Sequence, residues 1–429
     1  MPAHAPGVLV ALLTLLGACA SPRPAAPPAE APFDAGAAFA EFEQALRESY
    51  AYLERDDFDV DAHLARTRAA AVQTSDPRAF RRLLHRSTFA FTDPHLLVGP
   101  LDDDDPNVGP TSADLALTLQ DGRFVVADVR AGSAADVAGV RPGWVVAAIG
   151  GRPVEARAAE LLAGLPAPTA HQRTYAATLA VNGARAGTRT LEFRVAGQPR
   201  TMELANPREF ARRVAGLAPL SVEVRDRVGV VRFNNSLGDP ATIPAFDAAV
   251  RTCLGLDALI LDLRNTPSGG NTDVARAILG HFVAQARPYQ VHEVPAVERR
   301  TTVPRRFVEY VLPRAPAFTG RVAVLGGRWT GSMGEGVVIG MHAAAGARTF
   351  TSDLGDLLGA LHVLELPVAR VTLELGAEAL FHVDGTPRAA FVGDVPLPAA
   401  DRDASGDDPA LRAALAWLTA PGAAPTSAR

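Results

Sequence analysis

The chain of 429 residues contains no lysine, and all 42 of its basic residues are arginine. Every chemistry that needs a lysine amine is thereby excluded, including serine–lysine dyads, Schiff bases and the lysine of a phosphate-binding loop. Positive charge is also short relative to acid, with a net charge of −5, so no field exists to hold a polyphosphate and nucleic acid is not an expected partner. Cysteine is nearly absent, with only Cys19 and Cys253. Cys253 lies in the apolar stretch AAVRTCLGLDALIL, far from the electropositive, open setting of a reactive thiol, and is expected to be a buried core residue. No two histidines have the spacing of metal ligands, and the sequence calls for no metal or other cofactor.

What is present is globular: 48% hydrophobic and 21% charged residues over this length suffice for two or three packed domains. The apolar run from Gly7 to Leu16 is followed by Gly17, Ala18 and Cys19. It reads as a signal h-region with a small-residue cleavage site, and is short of the about 20 apolar residues of a membrane-spanning helix. Leu16-Gly17-Ala18-Cys19 resembles a bacterial lipoprotein signal. That resemblance implies removal of residues 1–18, a lipid on Cys19 that attaches the chain to a membrane, and an exported protein on the periplasmic side of the cell envelope. Secretion with cleavage but no lipid is the alternative. A lipidated Cys19 leaves Cys253 without a disulfide partner. Residues 19–34, which contain SPRPAAPPAEAP, are expected to form an extended tether.

Over 35–108 the pattern is helical. Phe39, Phe42, Leu46, Tyr50 and Leu53 recur at steps of three and four, and further helices are expected around 61–73 and 77–87. The acidic run Asp102 to Asp105 lacks the spaced ligands and turn glycine of a calcium loop and is expected to be a solvated linker. From 112 to 206 short β-branched runs at 124–129, 144–149 and 189–195 alternate with Gly and Pro turns, a small β-rich module. Over 218–400 the continuous apolar runs 228–233, 257–263 and 321–326 read as strands buried on both faces, with helices near 272–285 and 332–344. An α/β domain with a largely parallel sheet follows, and 401–429 adds a helix and a tail.

Two loops leave the carboxyl ends of those strands, where open α/β sheets place ligands. In DLRNTPSGGN at 262–271, Gly269 and Gly270 stand directly before a helix and let main-chain N–H groups approach a developing oxyanion. In RWTGSMGEG at 328–336, Ser332 lies at a strand-to-helix turn with the N–H of Met333 beside it. The hydrolase elbow would need glycine where Thr330 stands, and the penicillin-binding motif would need lysine at Glu335, so neither applies.

Together these loops resemble the oxyanion and nucleophile loops of the tricorn and carboxyl-terminal-processing serine peptidases, which have a crotonase-like α/β core. The stretch VVADVRAGSAADVAGVRPGWVVAAIGGRPV resembles a PDZ domain, and the order of helical segment, PDZ-like module and α/β core is that of the family over about 35–400. The resemblance implies a serine endopeptidase acting on extended polypeptides, with Ser332 as nucleophile and Gly269, Gly270 and Met333 forming the oxyanion hole. Without lysine the processing branch is excluded. FTDPHLLV at 91–98 resembles the tricorn-like branch's histidine motif, implying His95 as general base. His342, ten residues along the helix from Ser332, is ~15 Å away and out of reach. Where relatives carry an orienting acid, DGTPRAAFVGDV places Ala389 and Ala390 after Arg388. Glu335 either replaces that acid or caps its helix. A peptide-binding lipoprotein that has lost catalysis, and an esterase or acyltransferase built on the same serine, are the other readings.

Overall fold

Asp34, Asp59 and Asp76 each accept main-chain N–H bonds at the start of a helix, and these caps begin Ala35–Ser49, Val60–Ala71 and Pro77–Ser87. The structure, a computed structural model, describes residues 32–54 and 58–420. The leader, Cys19, most of the tether and residues 421–429 lie outside them. The first helix ends at Ser49, so Leu53 lies beyond it, while Phe39, Phe42 and Leu46 are buried.

These helices share their core with the strands Ala360–Leu366 and Val371–Phe381. After the third helix a single turn at Thr88–Phe91 leads into the strand Leu97–Gly99, which pairs antiparallel with Val371–Phe381, Leu97 opposite Glu374. That pairing belongs to a five-stranded sheet completed by Arg287–Glu293, Arg306–Val311 and Ala360–Leu366. The early helical segment is therefore stitched into the back of the chain, and His95, two residues before its strand, is delivered there.

The expected solvated linker at Asp102 to Asp105 is only half exposed. Arg81 is 4% exposed, and its guanidinium lies 2.5 Å from both Asp102 and Asp105. A buried cation needs a paired anion, which draws these two carboxylates inward. Asp103 and Asp104 remain at the surface.

The middle of the chain forms a six-stranded antiparallel sheet in the order Leu115–Gln120, Arg123–Val129, Val145–Ile149, Arg189–Val195, Gln198–Leu204, with Arg152–Pro153 paired to Val145–Ile149. Within this β-rich stretch lies a helix the strand pattern hides, Ala170–Asn182, opened by a reciprocal capping box between Thr169 and Gln172.

The second six-stranded sheet runs Val395–Pro396, Arg348–Thr351, Arg321–Gly326, Ala258–Asp262, Val228–Phe233, Leu220–Arg225. All its pairings are parallel except the last. Helices Thr242–Cys253, Thr272–Leu279 and Met333–Ala345 cover one face, and Pro409–Thr419 covers the other, which is why the central strands are buried along almost their whole length, with charge only at Arg232, Asp262 and Arg321. Cys253 is buried under this sheet. Arg264 holds the carboxyl end in register, bonding Asp262 on its own loop and Asp408 at the start of the last helix. The antiparallel module is fastened to this sheet through main-chain bonds at two buried acids: Asp128 accepts from Ala400 at 3.0 Å and Asp401 from Ala131 at 2.9 Å. Burial and the neighbouring Asp401 push the Asp128 carboxyl up to about 7.

Candidate active site

Ser332 closes the turn between Arg321–Gly326 and Met333–Ala345 with φ 51° and ψ −116°, a backbone conformation that non-glycine residues rarely adopt and that costs about 1–3 kcal/mol. Its surroundings hold it there. The Arg388 guanidinium donates to the Ser332 carbonyl at 2.9 Å, the Gly336 N–H donates to the same oxygen at 3.1 Å, and Gly331 donates to Thr266 at 3.1 Å. Thr266 and Thr330 pair as a short parallel bridge, which locks the two glycine-rich loops side by side. The strain is spent on presentation: the hydroxyl makes no capping bond to its helix, and among the described residues it has no hydrogen-bond partner.

Gly269 lies against this serine. It has φ +64°, and a Cβ there would stand 2.3 Å from Ser332 Cβ and 2.8 Å from both Ser332 Oγ and the Met333 nitrogen. Only glycine permits that approach. The Gly269 N–H is already given to the Thr266 carbonyl at 3.2 Å, so it is not free to bind an oxyanion. The next N–H, that of exposed Gly270, and the N–H of Met333 at the helix start have no acceptor among the described residues. A Cβ on Gly270 would fall 2.1 Å from the Leu237 main chain, so this position too is closed to side chains.

His95 is 5% exposed. Its N–H bonds Asp93 at 2.8 Å, and Asp93 in turn accepts from Tyr50 Oη at 2.9 Å. The imidazole Nδ1 lies 2.7 Å from the Leu358 carbonyl. A carbonyl only accepts, so Nδ1 carries the proton and Nε2 is left as the base. Burial lowers the imidazole to about 4, the Leu358 carbonyl opposes that shift, and the Arg388 charge adds to it. Arg388 thus bonds the Ser332 carbonyl and its charge also acts on His95, although no hydrogen bond joins His95 and Ser332 among the described residues.

Glu335 is placed differently from the orienting role considered for it. The position beside Nδ1 is filled by the Leu358 carbonyl, and the Glu335 carboxylate accepts the Leu357 N–H at 3.1 Å, clamping the loop that carries that carbonyl. Burial pushes Glu335 up to about 8, against the opposing charge of Arg388. His342 faces His382 at 3.2 Å. Arg388 was legible only as a neighbour of the missing acid, and its second arm reaches Gln290 at 2.8 Å. Asp93 could have been found, since an Asp two residues before a loop residue commonly bonds its N–H. The Leu358 carbonyl could not, because a main-chain acceptor has no residue signature. Among the described residues no group of His, Cys, Asp and Glu is arranged to hold a metal.

A groove of about 680 Å³ reaches Glu335 and Arg388, and Ser332 and His95 are not among the residues that line it. It runs between the edge strand Leu115–Gln120 and the helix Ala170–Asn182, then past Trp329 and the 353–356 loop to Glu335 and Arg388.

The mixed α/β fold is that of tail-specific processing protease structures. The chain superposes on the photosystem II D1 C-terminal processing protease with a TM-score of 0.53 at 15% identity, covering 85% of this chain and 93% of that one. Mature CPAF complexed with lactacystin gives a TM-score of 0.57 at 14% identity over 87% and 94%. A protein of Parabacteroides merdae gives 0.53 at 14% over 90% and 96%. No family model and no curated protein sequence matches the chain.

Proposed function

We propose that the chain is a serine endopeptidase of the tricorn-like branch, in which His95 activates Ser332 against extended polypeptides. The observation that carries this reading is the free Ser332 hydroxyl in a strained turn, flanked by the unengaged N–H groups of Gly270 and Met333. The Ser332 proton passes to His95 Nε2 as Oγ bonds to the scissile carbonyl carbon, and the carbonyl π pair moves onto oxygen, where the two N–H groups hold it. Collapse of that intermediate expels the amine, which takes the proton from Nε2, and water then hydrolyses the acyl-enzyme by the same steps. The core is read as crotonase-like and the antiparallel module as PDZ-like, with the groove along Leu115–Gln120 as the peptide's path to Ser332. The neighbouring structures that are proteases favour the same chemistry. Export and a lipid on Cys19 complete the proposal, placing the enzyme at the cell envelope.

A fluorophosphonate probe tests it: a single covalent adduct on Ser332, absent after Ser332→Ala, is expected together with cleavage of an unfolded polypeptide. An unreactive Ser332 in a protein that still binds peptides would instead support the non-catalytic reading.

The geometry also sets a pH profile. His95 must be neutral to accept a proton, so with its value near 4 kcat/KM should rise through about pH 4 and stay level to neutrality. Arg388→Gln removes a cation that disfavours the imidazolium, and the acid limb should move upward, toward the ordinary 6.5. A limb that stays in place would show that burial alone sets it.

A further inference from the structure

The strand Leu115–Gln120 is the outermost of its sheet, so the main-chain groups that point away from Arg123–Val129 are the ones an added peptide strand would use. The Asp114 carbonyl turns inward to Arg130, which leaves Leu115 and Leu117 turned outward. At Leu115 both outward groups are already taken by one side chain. Asn182 Oδ1 accepts the Leu115 N–H at 3.2 Å, and Asn182 Nδ2 donates to the Leu115 carbonyl at 2.8 Å. The same Oδ1 accepts the Asp114 N–H at 2.9 Å and Arg189 Nη1 at 3.2 Å, while Nδ2 also donates to Thr178 at 2.7 Å. The amide orientation is fixed by this set, since Oδ1 meets only donors and Nδ2 only carbonyls. One turn earlier on the helix, Thr178 Oγ1 accepts the Leu117 N–H at 3.3 Å.

Two adjacent main-chain N–H groups backed by a guanidinium are the surroundings a peptide's terminal carboxylate seeks. Here a neutral carbonyl oxygen fills them, on a side chain only 1% exposed. The guanidinium is also spent, because Arg189 Nη2 lies 2.5 Å from the fully buried Asp114 carboxylate. A second carboxylate entering would displace Asn182 and meet an anion with no spare cation. We propose that Asn182 is a built-in occupant of the terminal-carboxylate position, so the module takes internal stretches of extended chains and is indifferent to a free carboxyl end. The groove stays open beyond Leu117, along Thr118 and Leu119 opposite Ala170 to Tyr175. This rests on the peptide-groove reading above.

The full chain carrying Ser332→Ala, which binds without turnover, provides the test. A fluorescein-labelled apolar peptide of about ten residues is titrated in two forms, with a free C-terminal carboxylate and as the C-terminal amide, and anisotropy is read. Dissociation constants within about twofold of each other are expected. Adding Asn182→Ala together with Asp114→Asn, which opens the position and releases the Arg189 guanidinium, should favour the carboxylate form by about tenfold, whereas Asn182→Ala alone should not. A carboxylate form that binds tenfold or more tightly to the Ser332→Ala protein itself overturns the proposal and leaves the peptidase reading standing. Binding of neither form also overturns it, and fluorophosphonate labelling of the unsubstituted protein then decides whether the peptidase reading falls as well.

Discussion

Replacing Ser332 by alanine is expected to lower kcat for peptide cleavage by at least about 10⁴-fold, with little change in stability. The hydroxyl makes no hydrogen bond among the described residues, so its removal leaves no partner stranded. The backbone strain at φ 51° is shared by alanine and is held by Arg388, Gly336 and the Thr266–Thr330 bridge, none of which uses the serine side chain. His95→Ala should depress kcat comparably, and the double variant should be no worse than either single one, because the proposed nucleophile and base would act in one proton transfer. The histidine change should also cost about 1–3 kcal/mol of stability, since it strands the buried Leu358 carbonyl. Steady-state kinetics beside urea unfolding separates the two effects. Retained turnover in Ser332→Ala would remove the nucleophile from the mechanism.

Gly269→Ala should lower kcat by about 10²–10³-fold while the protein still folds. The added methyl carbon would stand 2.3 Å from Ser332 Cβ and 2.8 Å from the Met333 nitrogen, at a φ that alanine resists. Neither neighbour can yield cheaply: Ser332 is pinned through its carbonyl by Arg388, and Met333 begins a buried helix. The oxyanion loop must therefore move, carrying the Gly270 N–H away from the reacting oxygen. Gly255→Ala is the control, since nothing lies within 4 Å of its added carbon. Equal kinetics for both variants would show that the approach of Gly269 to the serine is unimportant.

Much of this architecture could be read from the residues because its signals are local. The continuous apolar runs became the parallel strands, the apolar residues at steps of three and four marked the first helix, and the two glycine-rich loops emerged side by side since their parent strands are neighbours. What escaped were features that arise only between distant segments. The strand Leu97–Gly99 is three residues long and has no period to detect; only its pairing with Val371–Phe381 makes it a strand. Asp102 and Asp105 look like solvated acids until Arg81 is found beneath them. The partner of His95 is a main-chain oxygen, and the role of Asn182 depends on a helix end meeting a sheet edge.

His95 precedes Ser332 by 237 residues, but the two groups that station it, the Leu358 carbonyl and the strand Val371–Phe381, come after the serine in the chain. Arg388, which grips the serine's own carbonyl, comes later still. A ribosome-bound polypeptide that has just exposed Ser332 therefore lacks the parts that hold the His95 imidazole and the Ser332 turn. If the proposed mechanism holds, hydrolytic competence comes late in synthesis, and a chain truncated before Arg388 is expected to be inactive.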